Sequence, residues 1–316
     1  MASRRKFLRQ SALGAAAIGT PYLGAFASEL HTSGSPQELR ISLAQWSLHR
    51  SLKKGELKAV DFPMIARGSY GIGSVEYVNE FYLEFAGKPA RWKQLRQQAD
   101  SEGVRSLLIM VDEEGELGAQ DDMERSVAVN RHAIWLEAAM ILGCHSIRVN
   151  AFGQGSRPEL KNALVDGLGR LAEIGADMGI NILVENHGYH TSDADYIIQI
   201  IREVDNPYLG TLPDFGNWCL TREWGSTQGG TCTESYDPVM GVSEFLPYAK
   251  GVSAKSYDFD SNGNETLLPY RILLQKVRDS GFDGHIGIEY EGNRLSEPEG
   301  IRATRALIEK IWSELD

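Results

Sequence analysis

Cysteine is scarce in this chain. Three stand in 316 residues, and no two form a Cys-x-x-Cys pair, which argues against a thiolate zinc site. Cys144 falls in the apolar "CHSIRVN" run, where a small buried residue belongs. Cys219 and Cys232 flank a glycine-rich loop and could pair in an oxidising compartment, although spacing alone does not show that two thiols meet. Basic charge is also in deficit: 32 Lys and Arg against 43 Asp and Glu leave a formal charge of -11. Affinity for nucleic acid comes mostly from Lys and Arg neutralising phosphates, so no nucleic-acid partner is expected. A small neutral ligand or a cation fits better. The chain has no low-complexity segment, no internal linker and nothing that reads as a membrane span. What remains, 42% hydrophobic and 24% charged, is an ordinary globular mixture sized for one large domain or two.

The first residues read as an address. "SRRKFLRQSALGAAAIG" (3 to 19) sets Arg4 and Arg5 before Phe7 and Leu8, then a weakly apolar run from Ala12 to Gly19, and "AFAS" supplies a small-x-small pattern ending at Ala27. Residues 1–27 are therefore expected to be a signal peptide for the twin-arginine export machinery, with a basic amphipathic N-terminus as the alternative. The protein is then periplasmic, with residues 28–38 as a flexible tether. Cutting after Ala27 would remove Arg4, Arg5, Lys6 and Arg9 and no acid, leaving an even more acidic remainder.

Short apolar runs recur along the rest of the chain: residues 40–46, 72–79, 105–111, 145–150, 181–186, 209–216, 251–259 and 285–292. Between them lie helical patterns such as 123–143, 161–179 and 270–281, each closing on a glycine suited to a helix C-cap. Alternating strand and helix predicts a parallel sheet, and eight such units suit a single (β/α)8 TIM barrel of the α/β class; a doubly wound open sheet is the alternative.

In such a barrel the active site lies at the C-terminal ends of the strands, so polar residues that end an apolar run face it. These are Trp46 and His49, Glu76, Arg148 and Asn150, Glu185 with His187, Asp214 with Asn217, Lys255, and Glu289 with Glu291. Carboxylates crowded on one rim raise each other's pKa unless a cation or a shared proton compensates, and a divalent metal is the simplest compensation.

"LVEN" ending the fifth run, "DFGNW" the sixth and "IGIEYEG" the eighth resemble the xylose-isomerase-like TIM barrel superfamily, in particular its sugar phosphate isomerase/epimerase proteins. "SLAQWSLHR" and "RVNAFG" are similar to exported members. The resemblance covers most of residues 39–316. It implies a divalent metal (Mn, Zn, Co or Mg) held by Glu185, Asp214 and Glu289, together with a histidine from the seventh strand. Here the sequence departs, reading Ser253-Ala254-Lys255 where members commonly read His-x-Lys, and Asn217 where a second His often stands. His187, two residues from Glu185 and so on the same strand face, could substitute or could instead bind a substrate hydroxyl. The resemblance also makes a homodimer an expectation.

The chemistry the resemblance implies is metal-assisted removal of a proton next to a sugar carbonyl. Glu185 and Glu289 would exchange that proton on opposite faces of the substrate, and Lys255 would stabilise the enediolate or else form a salt bridge to one of them. Expected substrate contacts are Trp46, His49, Glu76, Asn150, His187, Asn217, Trp218, Tyr257 and Glu291; Glu76 could instead pair with Arg148. The long segment 220–240 reads as a lid or specificity loop. The expected activity is thus a sugar isomerase or epimerase acting on a free or oxidised (keto) sugar. Its alternatives are a lyase or dehydratase on a keto-sugar, 3-keto-glycoside or inosose, and a non-catalytic sugar-binding protein that has lost its metal. A phosphodiesterase with a trinuclear zinc cluster is disfavoured, because the 7 histidines are dispersed and the chain is acidic.

Overall fold

The structure, a computed structural model, describes residues 38–228 and 232–315. The expected leader and the tether up to residue 37 lie outside the described residues. Within them the chain runs β1 (Ile41–Ala44), α1 (His49–Lys53), α2 (Phe62–Tyr70), β2 (Ser74–Val78), α3 (Pro89–Ser101), β3 (Arg105–Val111), α4 (Asp122–Leu142), β4 (Ser146–Val149), α5 (Arg157–Met178) and β5 (Asn181–Glu185). It continues through α6 (Ala194–Val204), β6 (Leu209–Leu212), α7 (Pro238–Phe245), β7 (Val252–Ser256), α8 (Tyr270–Asp279), β8 (Ile286–Tyr290) and α9 (Glu297–Glu314).

The parallel ladder follows the order β6-β5-β4-β3-β2-β1-β8-β7. Its two ends meet through parallel bridges between Thr211 and Ala249 and between Asp214 and Ser253. There Phe215 N–H donates to the Ser253 carbonyl (3.0 Å) and Ser253 N–H to the Pro213 carbonyl (2.9 Å). The sheet therefore closes as a (β/α)8 barrel and is not a doubly wound open sheet.

Every strand but β3, which coincides with its run, is shorter than the apolar run that marks it. The run 209–216 leaves the regular ladder after Leu212, where Pro213 has no N–H to contribute. Helix ends follow their signals too: Asp121 caps α4 by accepting from Glu124 N–H (2.9 Å), and Gly143 closes the helix at φ 80°, a left-handed conformation that suits glycine.

Strand residues alternate between two cores. Leu43, Ile147, Ile182 and Ile288 pack outward against the helices, while Ala44, Val78, Leu108, Met110, Leu183 and Leu212 fill the barrel interior. That apolar plug forms the floor beneath everything polar at the mouth. Among the described residues no helix is long and apolar enough to cross a membrane.

Candidate active site

The alternation that sends Ile182 and Val184 outward places Leu183 in the plug and Glu185 above it, at the C-terminal end of β5. Glu289 at the end of β8 and Asp214 just past β6 arrive in the same way. The three are buried, and a carboxylate oxygen from each lies within 4.8 Å of the others. In the β7–β8 ladder Lys255 sits opposite Glu289. Its Nζ is 3.1 Å from Glu289 Oε1, 3.3 Å from Glu291 Oε2 and 3.9 Å from Asp214 Oδ2, and it donates to Asn217 Oδ1 at 3.1 Å. Ser253, where the resemblance implies histidine, donates through Oγ to Asp214 Oδ2 (2.5 Å) and reaches Glu289 Oε2 at 3.3 Å.

Arg148, the inward residue of β4, ties this group to a second one. Its Nε lies 2.9 Å from Glu185 Oε2, and its Nη1 lies 2.5 Å from Asp112 Oδ1. Asn150 donates to the same Asp112 oxygen (2.7 Å), and its Oδ1 is 2.6 Å from His187 Nδ1. His187 Nδ1 is 3.6 Å from Glu185 Oε2, so its close partner is Asn150 rather than the acid cluster.

Burial drives the electrostatics. It raises the Glu185 carboxyl well above its ordinary pKa; Arg148 opposes this, while Asp214 and Glu289 add to it. Burial also lifts Asp214 to about 7 against the pull of Lys255. His187 is pushed well below the ordinary histidine value by burial and then by Arg148. For Asp112 burial acts upward, but Arg148, His187 and the two hydrogen bonds outweigh it and its pKa is lowered. Lys255 is likewise depressed by burial and more than restored by Asp214, Glu289 and Glu291, so it stays charged.

A cavity of about 570 Å³ opens above this network. Trp46, Asp112, Arg148, His187, Trp224 and Glu291 are among its walls, and Glu289 reaches it. Trp46 Nε1 donates to Glu291 Oε1, which fixes the indole over the opening. His49 stacks under Trp46 with centroids 4.8 Å apart and supports it.

Other expected contacts sit elsewhere. Glu76 is buried beneath, accepting from Ser42 Oγ (2.6 Å), with its pKa lifted to about 7 by burial; the salt-bridge partners of Arg148 are Glu185 and Asp112. Trp218 packs against Tyr236 and Phe245, and the Tyr257 hydroxyl donates to the Gly216 carbonyl; both are buried and neither lines the cavity. Asn217 is buried, does not line the cavity and accepts from Lys255 Nζ. Asp112 and Trp224 were missed by the sequence reading. Asp112 immediately follows an apolar run and carries the same signal as the residues identified, whereas Trp224 lies in a loop without periodicity.

Glu185, Asp214 and Glu289 would be the residues to hold a metal. Their oxygen-only donor set suits a hard divalent cation. Two observations fit such an ion: a carboxylate oxygen from each of the three acids converges within 4.8 Å of the others, and burial and mutual repulsion raise both Glu185 and Asp214.

Known proteins bear on both fold and site. A sequence model of the xylose isomerase-like TIM barrel family matches residues 68–311, and the chain belongs to that family. A curated relative, the alpha subunit of 3'-dehydrocarminate deglycosidase from Microbacterium sp., is 32% identical over 78 residues, 23% of this chain and 22% of that protein; the match thus spans about a fifth of the relative's length. The solved 3-keto-D-glucoside 4-epimerase of E. coli superposes with a TM-score of 0.66 at 13% identity, covering 86% of this chain and 100% of that one. A xylose isomerase-like TIM barrel protein from Mycobacterium smegmatis, solved with magnesium, gives 0.63 at 16% identity, covering 89% and 99%. At these identities the two structures establish the shared fold.

Proposed function

We propose that this protein is a sugar isomerase or epimerase that removes the proton next to the carbonyl of a free or keto sugar. The observation that carries the reading is the buried cluster of Glu185, Asp214 and Glu289, with Lys255 Nζ 3.1 Å from Glu289; Glu289 reaches the wall of a sugar-sized cavity, and Glu185, Asp214 and Lys255 lie directly behind it. The fold shared with a 3-keto-glucoside epimerase supports a keto-sugar substrate.

The sugar ring lies against Trp46, whose indole face suits the C–H face of a pyranose. Glu289 takes the proton from the carbon next to the carbonyl, and the electron pair moves onto the carbonyl oxygen to give an enediolate. Lys255 and Arg148 supply positive charge to that oxygen in a site largely closed to water. Glu185, on β5 and so three strands from β8 across the β6–β7 seam, returns a proton from the other side, which inverts the carbon. A divalent cation on Glu185, Asp214 and Glu289 would add Lewis-acid polarisation of the carbonyl.

An exported setting, expected from the leader, favours unphosphorylated sugars. The Cys219–Cys232 disulfide supports an oxidising compartment. A second reading, a lyase that follows the same proton removal with loss of a β-leaving group, is favoured by the deglycosidase relative.

The test is proton NMR of 3-keto-glucosides in D2O with magnesium or manganese added. Wild type is expected to place deuterium next to the carbonyl, and Glu289→Gln to slow exchange by about 10²–10⁴-fold. Release of the alcohol would select the lyase. No exchange and no product from any keto-sugar would remove the catalytic reading.

A further inference from the structure

A second cavity, of about 620 Å³, adjoins the first and shares Glu113, Glu114 and Trp224 with it. It lies beyond Asn150, away from the acid cluster, and its remaining walls include Phe152, Tyr189, Glu116 and Glu223. Each chamber is large enough for a ligand by itself, since small-molecule sites run from roughly 300 to 1,000 Å³. A single sugar over Glu289 would leave the second one to water.

Its construction points to a built site. Glu113 (φ 59°), Tyr189 (φ 47°) and Trp224 (φ 63°) all hold left-handed backbone. Among the described residues the one other non-glycine with positive φ is Asp205, which ends α6. Such conformations are disfavoured for side-chain-bearing residues and persist where the surroundings enforce them, commonly at binding sites. Two loops enforce those at Tyr189 and Trp224: Gly188 bridges Glu223 in antiparallel fashion, and Tyr189 N–H donates to the Arg222 carbonyl (3.3 Å). A Cβ on Gly188 would meet the Arg222 carbonyl oxygen at 2.4 Å and Trp224 N at 2.9 Å, so the loops are locked together. The Trp224 ring stands edge-on to His187 at 5.0 Å and to Phe152 at 6.1 Å. Trp224 and Tyr189 nonetheless keep 38% and 45% of their surface exposed, which leaves them free to contact a ligand.

We propose that the second chamber binds the group joined to the sugar through its glycosidic bond, and that this group is a neutral hydroxylated ring. The inference rests on the keto-sugar reading and extends it from a sugar to a glycoside. Aromatic walls from Phe152, Tyr189 and Trp224 suit the face of such a ring. Glu113, Glu116 and Glu223 accept from hydroxyls and repel anions, and among the described residues no Lys or Arg lines the chamber. A phenolic ring and a second pyranose share this chemistry.

The test compares unoxidised glucosides as unreactive probes of wild type and Tyr189→Gly by titration calorimetry: methyl glucoside, 4-hydroxyphenyl glucoside and the disaccharide cellobiose. Glycine suits the backbone at 189, so the variant keeps the loop while losing the ring. At least one larger probe is expected to bind wild type about tenfold tighter than methyl glucoside, with that ratio falling towards one in Tyr189→Gly. Which probe gains separates a phenolic ring from a second sugar. Binding of methyl glucoside without gain for either larger probe, or a gain that survives Tyr189→Gly, overturns the second subsite and leaves the sugar reading standing. Failure of all three to bind overturns the second subsite, and the deuterium exchange of 3-keto-glucosides decides the sugar reading separately.

Discussion

Lys255 keeps its charge with 2% of its surface exposed because three carboxylates face its Nζ within 3.9 Å. Removing one partner from a buried ionic network leaves the other charges uncompensated, typically a loss of 3–5 kcal/mol. Lys255→Met is therefore expected to lose roughly 3–5 kcal/mol in denaturant unfolding with chelator present, and to recover part of it with magnesium or manganese. Equal loss with and without the cation would count against a metal at the three acids. Glu185, Asp214 and Glu289 were legible in the sequence because each ends an apolar run, and closure of the sheet gathers such ends. The Lys255–Glu289 ion pair (3.1 Å) was one of two readings the sequence left open for that lysine, but the other contacts of these acids were not legible. The pairing of Arg148 with Asp112 and Glu185 depends on side-chain reach across strands, which period-two reading does not carry.

The segment from β6 to α7 shows where element-level reading stops. Its length marked it as a lid or specificity loop, but not that Cys219 and Cys232 are bonded, or that Leu220 N–H donates to the Glu234 carbonyl and Tyr236 N–H to the Trp218 carbonyl, both at 2.9 Å. These ties narrow the loop's freedom and hold Trp224 at the cavity. A crosslink separated by 13 residues stabilises mainly by restricting the unfolded chain, by about 2–3 kcal/mol. Cys232→Ser is expected to lower the thermal midpoint by an amount that dithiothreitol reproduces in wild type, and to speed proteolysis within 220–237. A midpoint unmoved by either treatment would show that hydrogen bonds alone hold the loop. The strands were easier to read: all eight runs form them, since β-branched runs bounded by turn residues have one economical use in a sheet covered on both faces.

At the scale of the whole molecule the alternation of elements predicted the barrel, while the seam was hidden, because β6 and β7 meet through isolated bridges rather than a ladder. The closed, helix-wrapped fold also buries groups outside the acid cluster, among them a histidine at the wall of the second chamber. His132 on α4 is 2% exposed, with Nδ1 2.8 Å from the Ala128 carbonyl. Burial lowers its pKa from 6.5 to about 4. The sign follows from proton counting: between pH 6.5 and 4 the unfolded chain binds a proton at this residue that the folded protein does not, so acidification favours unfolding over that window. A gap of two to three pH units corresponds to roughly 3 kcal/mol. His132→Gln can still donate to the Ala128 carbonyl but does not titrate. Relative to wild type, it is expected to gain roughly 2–3 kcal/mol of unfolding free energy between pH 7 and pH 4.5. Comparing the two proteins cancels the opposing contribution of buried carboxyls such as Glu76, whose raised pKa makes stability fall as pH climbs from 4.5 towards 7. Parallel pH dependences in urea titrations of the two proteins would mean that His132 is hydrated in the native state and that α4 packs less tightly than its burial indicates.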